Sequence, residues 1–240
     1  MCFNIFKPKP PIVPKMDLTG YTLVFDNGDF AYTEHYGEAT GTLIKDPGNE
    51  FIIWGKPETV KKENGYIVLL NDLNNIPGEP SIKAGEIATY KSCLRVYGYY
   101  EVVCKVPPSG INNWFCLWLE PLSWDFECDF AEFMSKDSTE YTVTVHQRIN
   151  GVMQIMAQKL IQPGIDLSLD FHVYGCDWQS NYIRCYLDNK QVFEYLGATP
   201  AIPMYLVCDI AVRPGYQAAE GILTFPNEAL IKSVKIYSKN

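Results

Sequence analysis

From about residue 17 onward, short apolar runs alternate with turn-forming clusters along the whole chain. The runs include GYIVLL (65–70), YGYYEVVCKV (97–106), EYTVTVHQ (140–147), FHVYGCDW (171–178), YIRCYL (182–187), MYLVCDIAV (204–212) and SVKIY (233–237). They are rich in Val, Ile, Tyr, Phe and Thr, which fit a pleated, half-buried surface. Between them fall DNGD, KENG, IPGEP, PPSG, RING, QPG, DNK and RPG, whose Gly, Pro, Asn and Asp supply the backbone angles of tight turns. No long segment repeats its apolar positions at the helical period, so the pattern predicts an all-β chain. Many short strands with frequent turns predict one antiparallel β-sandwich or jelly-roll domain over residues 17–240. In YLDNKQVFEY, Asp188 and Asn189 are expected to turn a hairpin, because both tolerate conformations that most residues resist.

Residues 1–16 read differently. Pro8, Pro10, Pro11 and Pro14 mark a semi-rigid arm outside the core fold. Its apolar run is too short and too broken for the core of a signal peptide. No stretch approaches the roughly 20 apolar residues that span a bilayer, so a membrane partner is not expected. The hydrophobic content of 47% is ample for a packed core. A net charge of −8, with the basic residues scattered, offers no surface for phosphate and argues against nucleic acid as a partner. The eight cysteines contain no CxxC pair, so a zinc site has little support, and no metal ligand is assigned. Most lie inside strand-like runs and are expected to be buried, reduced thiols, as in a protein made in a reducing compartment.

One run breaks the apolar pattern. SWDFECDFAEFM (123–134) carries Asp125, Glu127, Asp129 and Glu132 inside an otherwise strand-like stretch. Strand alternation puts Glu127 and Asp129 on one face, with Cys128 and Phe130 on the other. Glu132 has the wrong parity, and a regular strand would turn its charge into the core. A β-bulge near Phe130 and Ala131 would return it to the acidic face and let Phe133 resume the core pattern. Three carboxylates held this close repel one another, so at least one is expected to hold its proton above the usual range. Such a set fits a solvated charged face, a site for a hard cation, or a paired nucleophile and acid for cleaving a glycosidic bond.

The segment Glu-Cys-Asp-Phe-Ala-Glu resembles the ExDxxE signature of glycoside hydrolase family 16. The likeness extends through YGYYEVVCKVPPSGINNWFCLWLEP before it and through the runs at 170–195, 204–212 and 233–237 after it. The resemblance implies a concanavalin A-like β-jelly-roll of two curved antiparallel sheets whose concave face binds a polysaccharide. By position, Glu127 would be the nucleophile, Glu132 the general acid and base, and Asp129 the group between them. Trp114, Trp118 and Trp124 would bind substrate through their ring faces, with at least one of the three in the core instead. His146 would point into the cleft, whereas His172 and Trp178 would serve packing. The implied activity is endo-acting, retaining hydrolysis of a β-linked glycan, foremost a β-1,3-glucan. A β-galactan such as agarose or carrageenan, and a non-catalytic glycan-binding role, stay open. No cofactor is required, although relatives carry a structural calcium on the outer sheet face. The chain departs from the family at Tyr99, at Asp209 and in RPGYQAAEG after it, which bears on substrate identity. The substrate is expected to be extracellular. With no signal peptide visible, release by lysis or attachment to a larger particle through the Pro-rich arm would bring the two together.

Overall fold

A computed structural model describes residues 15–26, 57–73, 82–90, 92–108, 113–134, 138–212 and 226–239. The strands are β1 (Tyr21–Asp26), β2 (Val60–Glu63), β3 (Tyr66–Leu73), β4 (Ile82–Ala88), β5 (Gly98–Lys105), β6 (Asn113–Pro121) and β7 (Phe126–Phe133). They continue with β8 (Tyr141–Ile149), β9 (Val152–Ile161), β10 (His172–Gln179), β11 (Tyr182–Leu187), β12 (Lys190–Leu196), β13 (Met204–Val212) and β14 (Asn227–Lys239). All pairings are antiparallel, in the order β12-β11-β10-β5-β14-β3-β4-β13-β6-β7-β8-β9, with β1 added to β14 and β2 to β3. The expected all-β jelly roll is therefore present. Its two layers are continuous, because β4 pairs with β3 at one end and with β13 at the other.

Local sequence explains the hairpins. Asp188 and Asn189 both take positive φ between β11 and β12, as their short polar side chains allow. Asp188 also accepts a hydrogen bond from the Val173 amide at 3.0 Å and lies 2.9 Å from His172 Nδ1, which ties the turn to β10. Asn150-Gly151 and Asn64-Gly65 turn the β8–β9 and β2–β3 hairpins in the same way. Residues 1–14 of the arm, and with them the attachment to a particle, fall outside the described residues. So does RPGYQAAEG after β13. Lys15 and Met16, assigned to the arm from sequence, already pair with the β11–β12 turn, Met16 donating to the Asn189 carbonyl at 3.1 Å.

The core lies between the layers. Phe133 of β7 stacks on Tyr141 and meets the Tyr174 ring of β10 edge-on, joining one layer to the other. Trp178 is wholly buried and donates its indole N–H to Thr199, so its role is packing, as expected. The seven cysteines among the described residues are free and buried. Cys128, Cys176 and Cys185 converge across the layers, with 3.9 Å between the Cys128 and Cys176 sulfurs. Burial pushes the Cys176 and Cys185 thiols far up, which keeps them neutral and makes the trio apolar filling rather than a thiolate ligand set. Tyr99 lies on the outer side of β5, packed over Gly175, so this departure from the family pattern does not touch the cleft, contrary to the expectation from sequence.

Candidate active site

The irregular strand is β7. Asp129 pairs with Thr144 and Glu132 with Thr142 on β8, so three steps along β7 meet two on its neighbour. The same irregularity appears on the other side, where Trp118 pairs with Asp129 and Leu117 with Ala131. The extra residue lies at Phe130 and Ala131, both buried in the core, and Glu132 returns to the face of Glu127 and Asp129. Phe133 then resumes the core pattern, as the parity of the sequence requires.

Register turns the concave face into a grid. Residues directly paired across strands share a face, so one row runs Glu86 (β4), Asp209 (β13), Cys116 (β6), Glu132 (β7), Thr142 (β8) and Leu160 (β9). A second row carries Val207, Trp118, Asp129, Thr144 and Gln158. A third places Tyr205 opposite Glu120, and Glu127 opposite His146 and Ile155. The three predicted catalytic carboxyls thus stand on successive rows of one strand.

Each indole ends on a carboxylate. Trp114 Nε1 donates to Glu132 at 3.0 Å, Trp118 Nε1 to Asp209 at 2.8 Å, and Trp124 Nε1 to Glu127 at 2.7 Å. Of the three, Trp118 packs against the small buried cluster of Ala88, Tyr205 and Val207. Trp114 and Trp118 occupy alternate positions of β6 on the concave side. Trp124 sits 47% exposed in the β6–β7 turn. Trp124 has positive φ, strained for a side chain of that size, and Arg148 braces it through the Trp124 carbonyl at 3.3 Å. Sequence reasoning missed Arg148, which gives no local signal.

Asp129 is 5% exposed. Burial, reinforced by the charges of Glu127 and Glu132, pushes its carboxyl well above the usual carboxylate range. His146 is shifted the other way, because desolvation disfavours the imidazolium more than Glu127 favours it. His146 Nε2 stands 3.2 Å from Asp129 Oδ2, so Asp129, while it holds its proton, can donate it to the neutral ring. Cys116 adds a thiol donor to Asp129 Oδ1 at 3.6 Å. The repulsion expected among the three acids is thus relieved at the middle one. Glu127 keeps Trp124 as donor, and Glu132, 8% exposed, keeps Trp114.

A second set of carboxyls continues the rows on the other flank: Asp209, Glu86 and Glu120, with Tyr205 donating to Glu120. Asp209 was visible in the sequence only as a departure from a pattern, and Glu86 and Glu120 gave no signal. The convergent donor sets among the described residues are Glu127 with Asp129 and His146, and the core cysteine trio. Neither lies on the outer sheet face.

The family model described as "Glycosyl hydrolases family 16" matches residues 48–219. A β-glucanase of Acetivibrio thermocellus is 34% identical over 227 residues, 91% of this chain and 63% of the relative. The chain therefore spans less than two thirds of that relative's length. Among solved structures, the laminarinase catalytic domain of Thermotoga maritima aligns with a TM-score of 0.75 at 20% identity, covering 92% of this chain and 99% of that one. A non-specific endo-β-1,3(4)-glucanase of family GH16 aligns at 0.76 with 21% identity, covering 97% and 95%. At these identities the structural matches speak for the fold.

Proposed function

Because the chain belongs to the glycosyl hydrolases of family 16, we propose that it is an endo-acting, retaining β-glycanase whose foremost substrate is a β-1,3-linked glucan. The observation that carries this reading is the bulge in β7, which brings Glu127, Asp129 and Glu132 to one concave face, where burial raises the pKa of the middle acid. The relative named as a β-glucanase supports the substrate class.

In the first step a Glu127 oxygen attacks the anomeric carbon while Glu132 gives its proton to the departing glycosidic oxygen. The bond formed is a glycosyl ester to Glu127, and the bond broken is the glycosidic link. In the second step Glu132, now ionised, takes a proton from water, the water oxygen attacks the same carbon, and Glu127 leaves. Two inversions restore the starting configuration. While it holds its proton, Asp129 lets a second carboxyl stand beside Glu127 without adding charge.

Purified protein is assayed on laminarin, lichenan, agarose and carrageenan for new reducing ends and product size. Glu127→Gln and Glu132→Gln should each lower turnover about 10²–10⁴-fold while the fold is kept. Azide should rescue Glu132→Ala with a product of retained configuration and Glu127→Ala with the inverted one. The opposite pattern would exchange the two roles, and unchanged turnover in either Gln variant would remove the assignment. Silence across the panel from folded, glycan-binding protein would favour a binding module.

A further inference from the structure

The reaction above employs Glu127, Asp129 and Glu132 and leaves Asp209 without a task. Asp209 is 7% exposed and lies directly opposite Glu86 on the paired strand. Like charges at such positions repel, and burial makes the repulsion worse. Geometry says which of the two carries the charge. Trp118 donates to Asp209 at 2.8 Å, which favours its ionised form. Glu86 Oε1 is buried with no hydrogen-bond partner, which favours the neutral acid. Of the two, Asp209 is the one that ionises first.

Only Cys116 stands between Asp209 and Glu132 on their row, and its short side chain turns its thiol to Asp129. Strand spacing puts Asp209 and Glu132 two strands, or about 10 Å, apart. The groups facing Asp209 are Glu86 from β4, Cys116, Trp118 and Glu120 from β6, and Glu127, Asp129 and Glu132 from β7, with neutral His146 of β8 beyond them. At the far end of β13, β3 brings Asn71 to Asn113 and the Ala211 carbonyl. The strongest charges acting on Asp209 are carboxylates, Glu132 first among them.

We propose that Asp209 is a positioning residue for Glu132: its carboxylate, fixed by Trp118 on the row that Glu132 shares, holds the proton on the general acid of the reaction read above, on which this inference rests. Burial pushes Asp209 up to about 7, so its charge develops across neutrality. Once present, that charge disfavours the ionised form of Glu132 and carries the protonated acid to higher pH.

Asp209→Asn keeps the size and the acceptor for Trp118 while removing the charge. The alkaline limb of its kcat/KM profile should move to lower pH by about half to one unit at low ionic strength, with the plateau kept. A purely structural role would lower the plateau at every pH and leave the limb in place. Carboxyl NMR of substrate-free protein tests the same coupling without any glycan. An Asp signal titrating near neutrality should vanish in Asp209→Asn, and the Glu132 midpoint should fall. If that variant does not fold, Trp118→Phe removes the donor, keeps Asp209 neutral to higher pH and should shift the Glu132 midpoint the same way. An unmoved midpoint overturns the proposal. A shifted midpoint in a protein that cleaves no glycan overturns the glycanase reading and leaves the coupling standing.

Discussion

Three tryptophans donate their indole N–H groups to three different carboxylates, which changes what an aromatic residue in this cleft is for. A ring held by its nitrogen can still offer a face to sugar, but its first effect is on the acid it touches. Trp124 gives the simplest case, because it is 47% exposed, yet it bonds Glu127 at 2.7 Å. Trp124→Phe keeps most of the ring and removes the donor. We expect kcat/KM to fall roughly five- to tenfold, as for one hydrogen bond to a charged group near water, with stability within about 0.5 kcal/mol of wild type. A loss confined to KM would assign the residue to sugar stacking alone.

At the scale of the element, the bulge in β7 was legible because a single parity conflict ran through it. Glu127 and Asp129 agreed with alternation and Glu132 did not, so one extra residue was the least costly repair. The hairpin at Asp188 and Asn189 was legible for the same local reason. The row that joins Glu86, Asp209, Cys116 and Glu132 was not. Its members lie on four strands far apart in the chain, and only long-range register makes them neighbours. The environment of each tryptophan was not legible on similar grounds, since exposure depends on which strands flank β6. The parity argument makes a prediction of its own. Deleting Ala131 should close the bulge and keep Glu132 on the cleft face, because Glu127, Asp129 and Glu132 then alternate regularly with Cys128, Phe130 and Phe133; the protein should still fold, with thermal melts showing a loss of no more than about 2 kcal/mol. Deleting Phe130 together with Ala131 should instead turn Glu132 into the core and cost several kcal/mol, leaving the protein unfolded or sharply less stable. A collapse of stability on deleting Ala131 alone would show that the bulge is needed for more than parity.

For the whole molecule, the carboxyls of the cleft set a direction for stability against pH. Glu86, Asp129 and Asp209 are all pushed up, chiefly by burial, from ordinary values of 4.5, 3.8 and 3.8. The folded state therefore holds these protons more tightly than the unfolded chain does. Stability is fully present below the unfolded values and is lost as pH rises through the folded ones, for Asp209 through about 7. The melting temperature should accordingly be higher near pH 5 than near pH 8, a trend that the net charge of −8 reinforces through self-repulsion. Asp209→Asn should flatten the decline and raise the melting temperature at pH 8. Its share is at most about 4 kcal/mol, divided with the acids it is coupled to. A melting temperature that stays flat or climbs over this range would mean that the cleft holds its charges without penalty. The result expected instead describes a fold that gives up stability at neutral pH to keep a row of interacting acids, and the same substitution that recovers the stability should shorten the working pH range.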